Sequence, residues 1–180
     1  MANVQIALLR GINVGRARRV AMADLRALFE ELGYEKVRTL RNTGNVVWRG
    51  GPPEDAVSRI EGALVERLGV SSRVMVLAGE ELAAIVRDNP LLDRAGNPSR
   101  LQVAFLADLA DRARLETLQK QDWRPEALGL GTRVAYMWCP NGLSRSALNQ
   151  AVEKTLKDRM TTRTWSTVLK LHALALEQTL

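Results

Sequence analysis

The chain has 180 residues, 46% of them hydrophobic and 26% charged, with a formal net charge of +6 and a pI near 10.1. That is globular composition, which excludes disorder and collagen-like structure, and folding at this length buries roughly 70% of the surface an unfolded chain exposes. No stretch approaches the roughly 20 apolar residues needed to span a bilayer, Met1-Ala2-Asn3-Val4 does not read as a signal peptide, and the lone Cys139 excludes an intrachain disulfide.

Val4–Leu9 is a short apolar run that reads as a strand. The loop Arg10-Gly11-Ile12-Asn13-Val14-Gly15-Arg16-Ala17-Arg18-Arg19 follows it. Met22, Leu25, Leu28, Phe29 and Leu32 then recur at helical spacing, with Gly33 as a stop. Residues 36–41 alternate as a strand, Asn42-Thr43-Gly44 is a turn, and 45–49 is the returning strand. Pro53 marks a helix start whose apolar face is Val57, Ile60, Leu64 and Leu68, closed by Gly69. Residues 73–77 form the next strand, so the first stretch reads β-α-β-β-α-β.

A helix over 80–88 comes next and stops before Pro90. Residues 90–99 carry two prolines and a glycine and are the best linker candidate. The same order then returns: a strand over 101–106, a helix over 112–120, a weak strand over 127–130 and a strong one over 133–138. A helix over 146–156, a short strand over 160–163 and a closing helix over 165–176 complete it. The expectation is an α+β chain of two ferredoxin-like (β-α-β-β-α-β) units in tandem. They span residues 1–78 and 79–180, and the second has additional flanking helices.

This topology predicts which loops meet. In a β-α-β-β-α-β unit the first crossover loop and the central hairpin tip lie at one end of the sheet. The Arg10–Arg19 loop is thus expected beside Asn42-Thr43-Gly44. In the second unit strands three and four both finish at the opposite end, which puts Pro140–Ser144 beside Arg163-Thr164-Trp165. Each cluster opens onto a helix N-terminus, where unpaired N–H groups favour anions.

Ala7-Leu8-Leu9-Arg10-Gly11-Ile12-Asn13-Val14-Gly15, Met22-Ala23-Asp24-Leu25-Arg26 and Thr43-Gly44-Asn45-Val46-Val47 resemble the bacterial domain of unknown function 1697 family. The segment from Thr161 to Leu171 agrees. The family usually has serine at the position of Thr43, glycine at Arg16 and asparagine at Thr164. The resemblance implies paired ferredoxin-like units. It implies no activity, so it assigns no catalytic residue.

Residues 1–78 hold 12 basic and 8 acidic side chains, residues 79–180 hold 14 and 12, and arginine outnumbers lysine throughout. Arginine suits planar contacts to phosphate and carboxylate. The ligand-binding candidates are therefore Arg10, Gly11, Asn13, Gly15, Arg16, Arg18 and Arg19 with Thr43, Gly44 and Asn45. Arg163 and Trp165 form a second set, as an anion contact and a stacking face, although a capping role for Thr164 or Ser166 is the favoured account of that segment and the two can coexist. The first loop matches neither the dinucleotide fingerprint nor the Walker sequence. Trp165 is expected to pack into the second unit and Arg163 to point toward Asn141–Ser144. Cys139 reads as a small core residue and His172 as structural. No cluster has metal-ligand spacing, no cofactor is identified, and no general acid or base stands in the loops.

The leading functional reading is a cytosolic protein that binds a phosphorylated small molecule through the arginine loop. The alternatives are a nucleic-acid-binding module and an enzyme acting on a phosphorylated substrate. Aromatic residues are only 4% of the chain, which counts against base stacking.

Overall fold

In the computed structural model, which describes residues 3–94 and 96–180, the chain forms two four-stranded antiparallel sheets and six helices. Met1 and Ala2 of the leader reading and Ala95 of the linker lie outside the described residues. The first set of elements is β1 (Val4–Leu9), α1 (Met22–Glu31), β2 (Glu35–Leu40), β3 (Asn45–Arg49), α2 (Ala56–Leu68), β4 (Val74–Ala78) and α3 (Gly79–Arg87). The second is β5 (Leu101–Leu106), α4 (Asp111–Gln119), β6 (Ala127–Leu130), β7 (Val134–Trp138), α5 (Ala147–Leu156), β8 (Met160–Thr164) and α6 (Trp165–Thr179). The sheets have strand orders β2-β3-β1-β4 and β6-β7-β5-β8.

β1 and β5 are buried along their whole length, as central strands covered on both faces must be. Ala7 and Leu9 turn to one face, where Leu25, Leu28 and Phe29 of α1 and Ile60 and Leu64 of α2 close the core. The predicted face of α2 shifts: Ala56 and Ala63 are buried while Val57 is half-exposed. Gly69 ends that helix with a φ of 64°, a conformation that glycine adopts without a Cβ penalty. Phe29, Tyr34 and Trp48 form an aromatic cluster with centroids 5.0–5.8 Å apart. Trp48 is fully buried there, so it presents no face to a nucleobase.

The second unit has its own core of Leu106, Leu115, Met137, Leu148, Val152 and Met160. Tyr136, which alternates with Ala135 and Met137 along β7, is buried outside that cluster and donates its hydroxyl to Ile85 O at 2.7 Å. By contacts, residues to Ala83 cluster with Lys170–Leu180, and Ala84–Leu169 form the other unit. The chain's last residues, which chain order assigns to the second unit, thus pack with the first. Gln178 Nε2 donates to Lys36 O at 2.8 Å, and Arg38 pairs with Glu177 at 2.7 Å. No helix among the described residues is long and apolar enough to cross a membrane.

Candidate anion-binding site

Three segments converge where β1 ends. The amide of Leu9 donates to Gly44 O at 2.8 Å, and that of Arg10 donates to Arg73 O at 2.9 Å. The crossover segment 10–21, the β2–β3 turn and the entry to β4 therefore share one end of the sheet, as strand polarity requires.

One side chain folds the crossover segment. Asn13 Nδ2 donates to Val20 O at 2.8 Å and to Asn42 O at 2.7 Å, while its Oδ1 accepts from the Val20 amide at 2.8 Å. The Asn13 amide bonds Arg18 O at 3.0 Å. Asn13, expected as a ligand contact, has both side-chain N–H groups committed within the chain and serves as a staple. Gly11, Asn13, Gly15 and Arg18 all have φ between 52° and 69°. Glycine and asparagine tolerate this region. For Arg18 it costs about 1–3 kcal/mol, which persists only where surrounding structure enforces it.

The hairpin is fixed in the same manner. Asn45 is fully buried and donates to Leu40 O at 3.0 Å and to Thr43 Oγ1 at 2.9 Å. A Cβ on Gly44 (φ 85°) would lie 2.8 Å from Leu9 Cβ and 2.9 Å from Ile12 Cδ1, so only glycine lets the hairpin close onto β1. Asn13, Gly44 and Asn45 shape the site from within.

What faces solvent is cationic. Arg16, Arg18 and Arg19 are exposed, and none makes an ion pair among the described residues. The Arg18 guanidinium lies over Gly11, with Nη1 3.3 Å from where a Cβ would stand. Two residues the sequence reading missed join them. Exposed Arg41 precedes Asn42 with a left-handed φ of 57°, and exposed Arg73 supplies the carbonyl that Arg10 grips. Their signal was positional: each flanks a strand at the end that the topology gives to Arg10. Two like charges about 8 Å apart in water repel by about 0.5 kcal/mol, so this arrangement favours an anion.

Residues 2–136 match the family described as "Protein of unknown function (DUF1697)". The chain belongs to this family. The DUF1697 match contains the whole arginine site and ends within β7, short of Arg163 and Trp165. A solved structure of a conserved bacterial protein from Streptococcus pneumoniae is similar over 97% of this chain and 99% of that one, with 22% identity and a TM-score of 0.81. At that identity the likeness shows fold alone. No curated protein matches.

The second expected cluster of this DUF1697 chain lies in the second unit, at the end of the sheet where β7 and β8 finish. Leu101 pairs with Trp138 and Gln102 with Thr164, and the Cys139 amide bonds Arg100 O at 2.9 Å. Trp165 is buried, so it offers no exposed face for stacking. Thr164 Oγ1 accepts from the Thr167 amide at 3.2 Å and caps α6. Arg163 is half-buried and donates to Thr162 O at 3.0 Å; burial pushes its guanidinium down to about 10. It is Arg100 whose guanidinium stands against Gly142, 2.6 Å from the position of a Cβ.

Cys139 is buried and its Sγ lies 3.4 Å from Ser146 Oγ, which in turn donates to the Glu126 carboxylate. Ser146 accepts from the Asn149 amide at 2.9 Å and Glu126 from the Leu148 amide at 3.2 Å. The cluster is the N-terminal cap of α5. Cys139 belongs to the second unit's core, and burial pushes its thiol up to about 11. His172 lines a cavity of about 440 Å³ in the first unit with Val4, Glu80 and Leu176. Among the described residues no group of three His, Cys, Asp or Glu side chains could hold a metal ion.

Proposed function

We propose that the protein binds a phosphorylated, anionic small ligand at the arginine end of its first sheet. The observation that carries this reading is the exposed set Arg16, Arg18 and Arg19 on a loop closed by Asn13 and free of acidic residues, with exposed Arg41 on the hairpin turn tied to it. A pre-folded loop presents its guanidinium groups at little entropic cost on binding, and arginine meets phosphate through paired N–H donors. Gly11, Gly15 and Thr43 border the same surface, and Arg10 anchors it to β4.

The reading includes two ferredoxin-like units and a cytosolic place of work. Strand orders β2-β3-β1-β4 and β6-β7-β5-β8, each with two crossover helices, support the former; the single, buried cysteine suits the latter. Nucleic acid is the second reading, since the net charge of +6 favours any polyanion. The burial of Trp48, Tyr34 and Trp165 disfavours it, because base recognition draws on exposed aromatic faces. An enzyme on a phosphorylated substrate would need a proton-transfer group that residues 10–19 do not contain. Calorimetric titration with phosphomonoesters tests the reading: the wild type should bind, and Arg18→Ala/Arg19→Ala should bind at least about tenfold more weakly. Equal affinity in the two proteins would make the loop purely structural.

A further inference from the structure

The cavity beside His172 uses none of the residues of the arginine site. Its lining comes from three places in the first unit: the residues that open β1, the junction of β4 and α3, and α6. It lies at the end of β1 opposite Leu9 and Arg10. On α6 the lining residues are His172, Ala175, Leu176 and Thr179, spaced three and four apart, so one face of the helix serves the cavity. Val4, Ala83, Ala175 and Leu176 give it aliphatic sides, and exposed Leu176 carries that surface out to solvent. A volume of about 440 Å³ is in the range that holds small organic ligands, in sites that are mostly apolar with a few polar groups.

The polar side chains are distinguished by what they have left to offer. Asn3 gives Nδ2 to Gly51 O at 3.0 Å, which leaves Oδ1 uncommitted. Thr179 gives its hydroxyl proton to Leu176 O at 2.7 Å, so its oxygen is left to accept. Glu80 makes no ion pair among the described residues, and an ionised carboxylate only accepts. Half-buried His172 has no side-chain partner there either, and a neutral imidazole offers one accepting nitrogen. No lysine or arginine lines the cavity, although the chain carries a net charge of +6. The uncommitted atoms are thus mainly acceptors around a single carboxylate.

We propose that this cavity binds a small primary amine with a hydrocarbon body. Its ammonium group pairs with Glu80, the one charge in the lining, and its body lies against Val4, Ala83, Ala175 and Leu176. The chemistry selects against the alternatives. An anion meets the Glu80 carboxylate as a like charge, and a neutral apolar ligand strips water from that carboxylate without replacing it.

The test uses three probes of one shape and different charge: phenethylamine, phenethyl alcohol and phenylacetate. Each is titrated at neutral pH into the full chain, wild type and Glu80→Gln, and followed by the amide chemical shifts. Glu80 is exposed, so Glu80→Gln should fold as the wild type does, which circular dichroism checks. Phenethylamine should shift the signals of residues 78–83 and 172–179 and bind the wild type at least about tenfold more tightly than phenethyl alcohol. Glu80→Gln should weaken the amine about fivefold, as an exposed ion pair allows, and change the alcohol by less than about twofold. The alcohol or phenylacetate binding as tightly as the amine would overturn the proposal. So would shifts confined to other residues, amine binding unchanged in Glu80→Gln, or no binding of the amine to the wild type.

Discussion

Where β1 leaves the first sheet, the chain runs through residues 10–21 before α1 begins; where β5 leaves the second, α4 starts after 107–110. The short connection is acidic and self-satisfied. Asp108 accepts from the Ala110 amide at 2.9 Å, and Asp111 accepts from both Arg159 and the Asp108 amide. The long connection is basic, holds no acid, and is closed by the side chain of Asn13. One set of sheet bonds supports both, from Leu9 and Arg10 to Gly44 and Arg73 and from Leu106 and Ala107 to Arg133 and Arg159, so the framework does not dictate the electrostatics of its edge. The difference teaches that the length of the connection decides which charges the edge of a sheet can carry. A four-residue turn has room for a carboxylate at the helix start. A longer one can carry cations outward, beyond the reach of any acid in the sheet.

The largest effect that sharpens this comparison is expected at the paired positions Gly44 and Arg133. Gly44→Ala forces a Cβ into Leu9 and Ile12 at a left-handed φ, and should destabilise the first unit by about 3 kcal/mol or more. Arg133→Ala removes the bond from Nε to Leu106 O at 2.9 Å and should cost about 1 kcal/mol. Urea denaturation reads both, and similar values would mean that the two edges are packed alike.

Next is Asp111→Asn, which weakens a buried, doubly bonded carboxylate and should cost about 2 kcal/mol at neutral pH. Burial pushes the Asp111 carboxyl up, but hydrogen bonds from Arg159 and the Asp108 amide outweigh it and hold the group below its ordinary value. The native state therefore prefers the ionised form, and its stabilisation is full above the ordinary carboxylate range and lost as pH falls below it. The gap between wild type and Asp111→Asn should narrow on acidification. A gap unchanged between pH 7 and pH 3 would show that the carboxylate's charge is irrelevant.

A smaller effect should follow from placing an acid at the start of α1. Met22→Asp sets a carboxylate at the start of α1, as in α4, and should weaken phosphomonoester binding about tenfold by competing for the arginines of the adjoining loop. Binding at wild-type strength would break the comparison of the two edges. The smallest effect is expected at Cys139: iodoacetamide at pH 8 should leave the native thiol unmodified, because burial pushes it up to about 11, and should label it fully after unfolding. Raised above its unfolded value, this group contributes stability that is complete below about pH 9 and lost as pH climbs to about 11. Labelling of the folded protein would open the α5 cap to solvent.

The strands were legible because apolar runs such as Val4–Leu9 and alternation such as residues 36–41 report burial directly. The meeting of residues 10–19 with Asn42-Thr43-Gly44 was legible too, since strand polarity alone decides which loops share an end. The division of labour inside that site was not. Asn13 and Asn45 read as polar loop residues with donors to offer, and only the approach of Val20, Asn42 and Leu40 in space reveals that those donors are used. Arg41 and Arg73 escaped notice because one looked like the last residue of a strand and the other like the first. The return of Lys170–Leu180 to the first unit left no local mark, as Trp165, Val168, Leu171 and Ala175 continue one apolar stripe across the division. Only the partners of Glu177 and Gln178, distant in sequence, show where it ends.

The Asn13 staple has a consequence for how such a loop can diversify. Its bonds to Val20 and Arg18 close a ring of chain around residues 14–17, and its bond to Asn42 ties that ring to the hairpin. Residues inside the ring can be exchanged, lengthened or shortened without loading the sheet beneath, because the closure and not the tip transmits geometry to β1. The tip is thus a replaceable part on a fixed mount, and recombining tips from related sequences into this position offers a direct route to varying the surface presented there while the scaffold stays as it is.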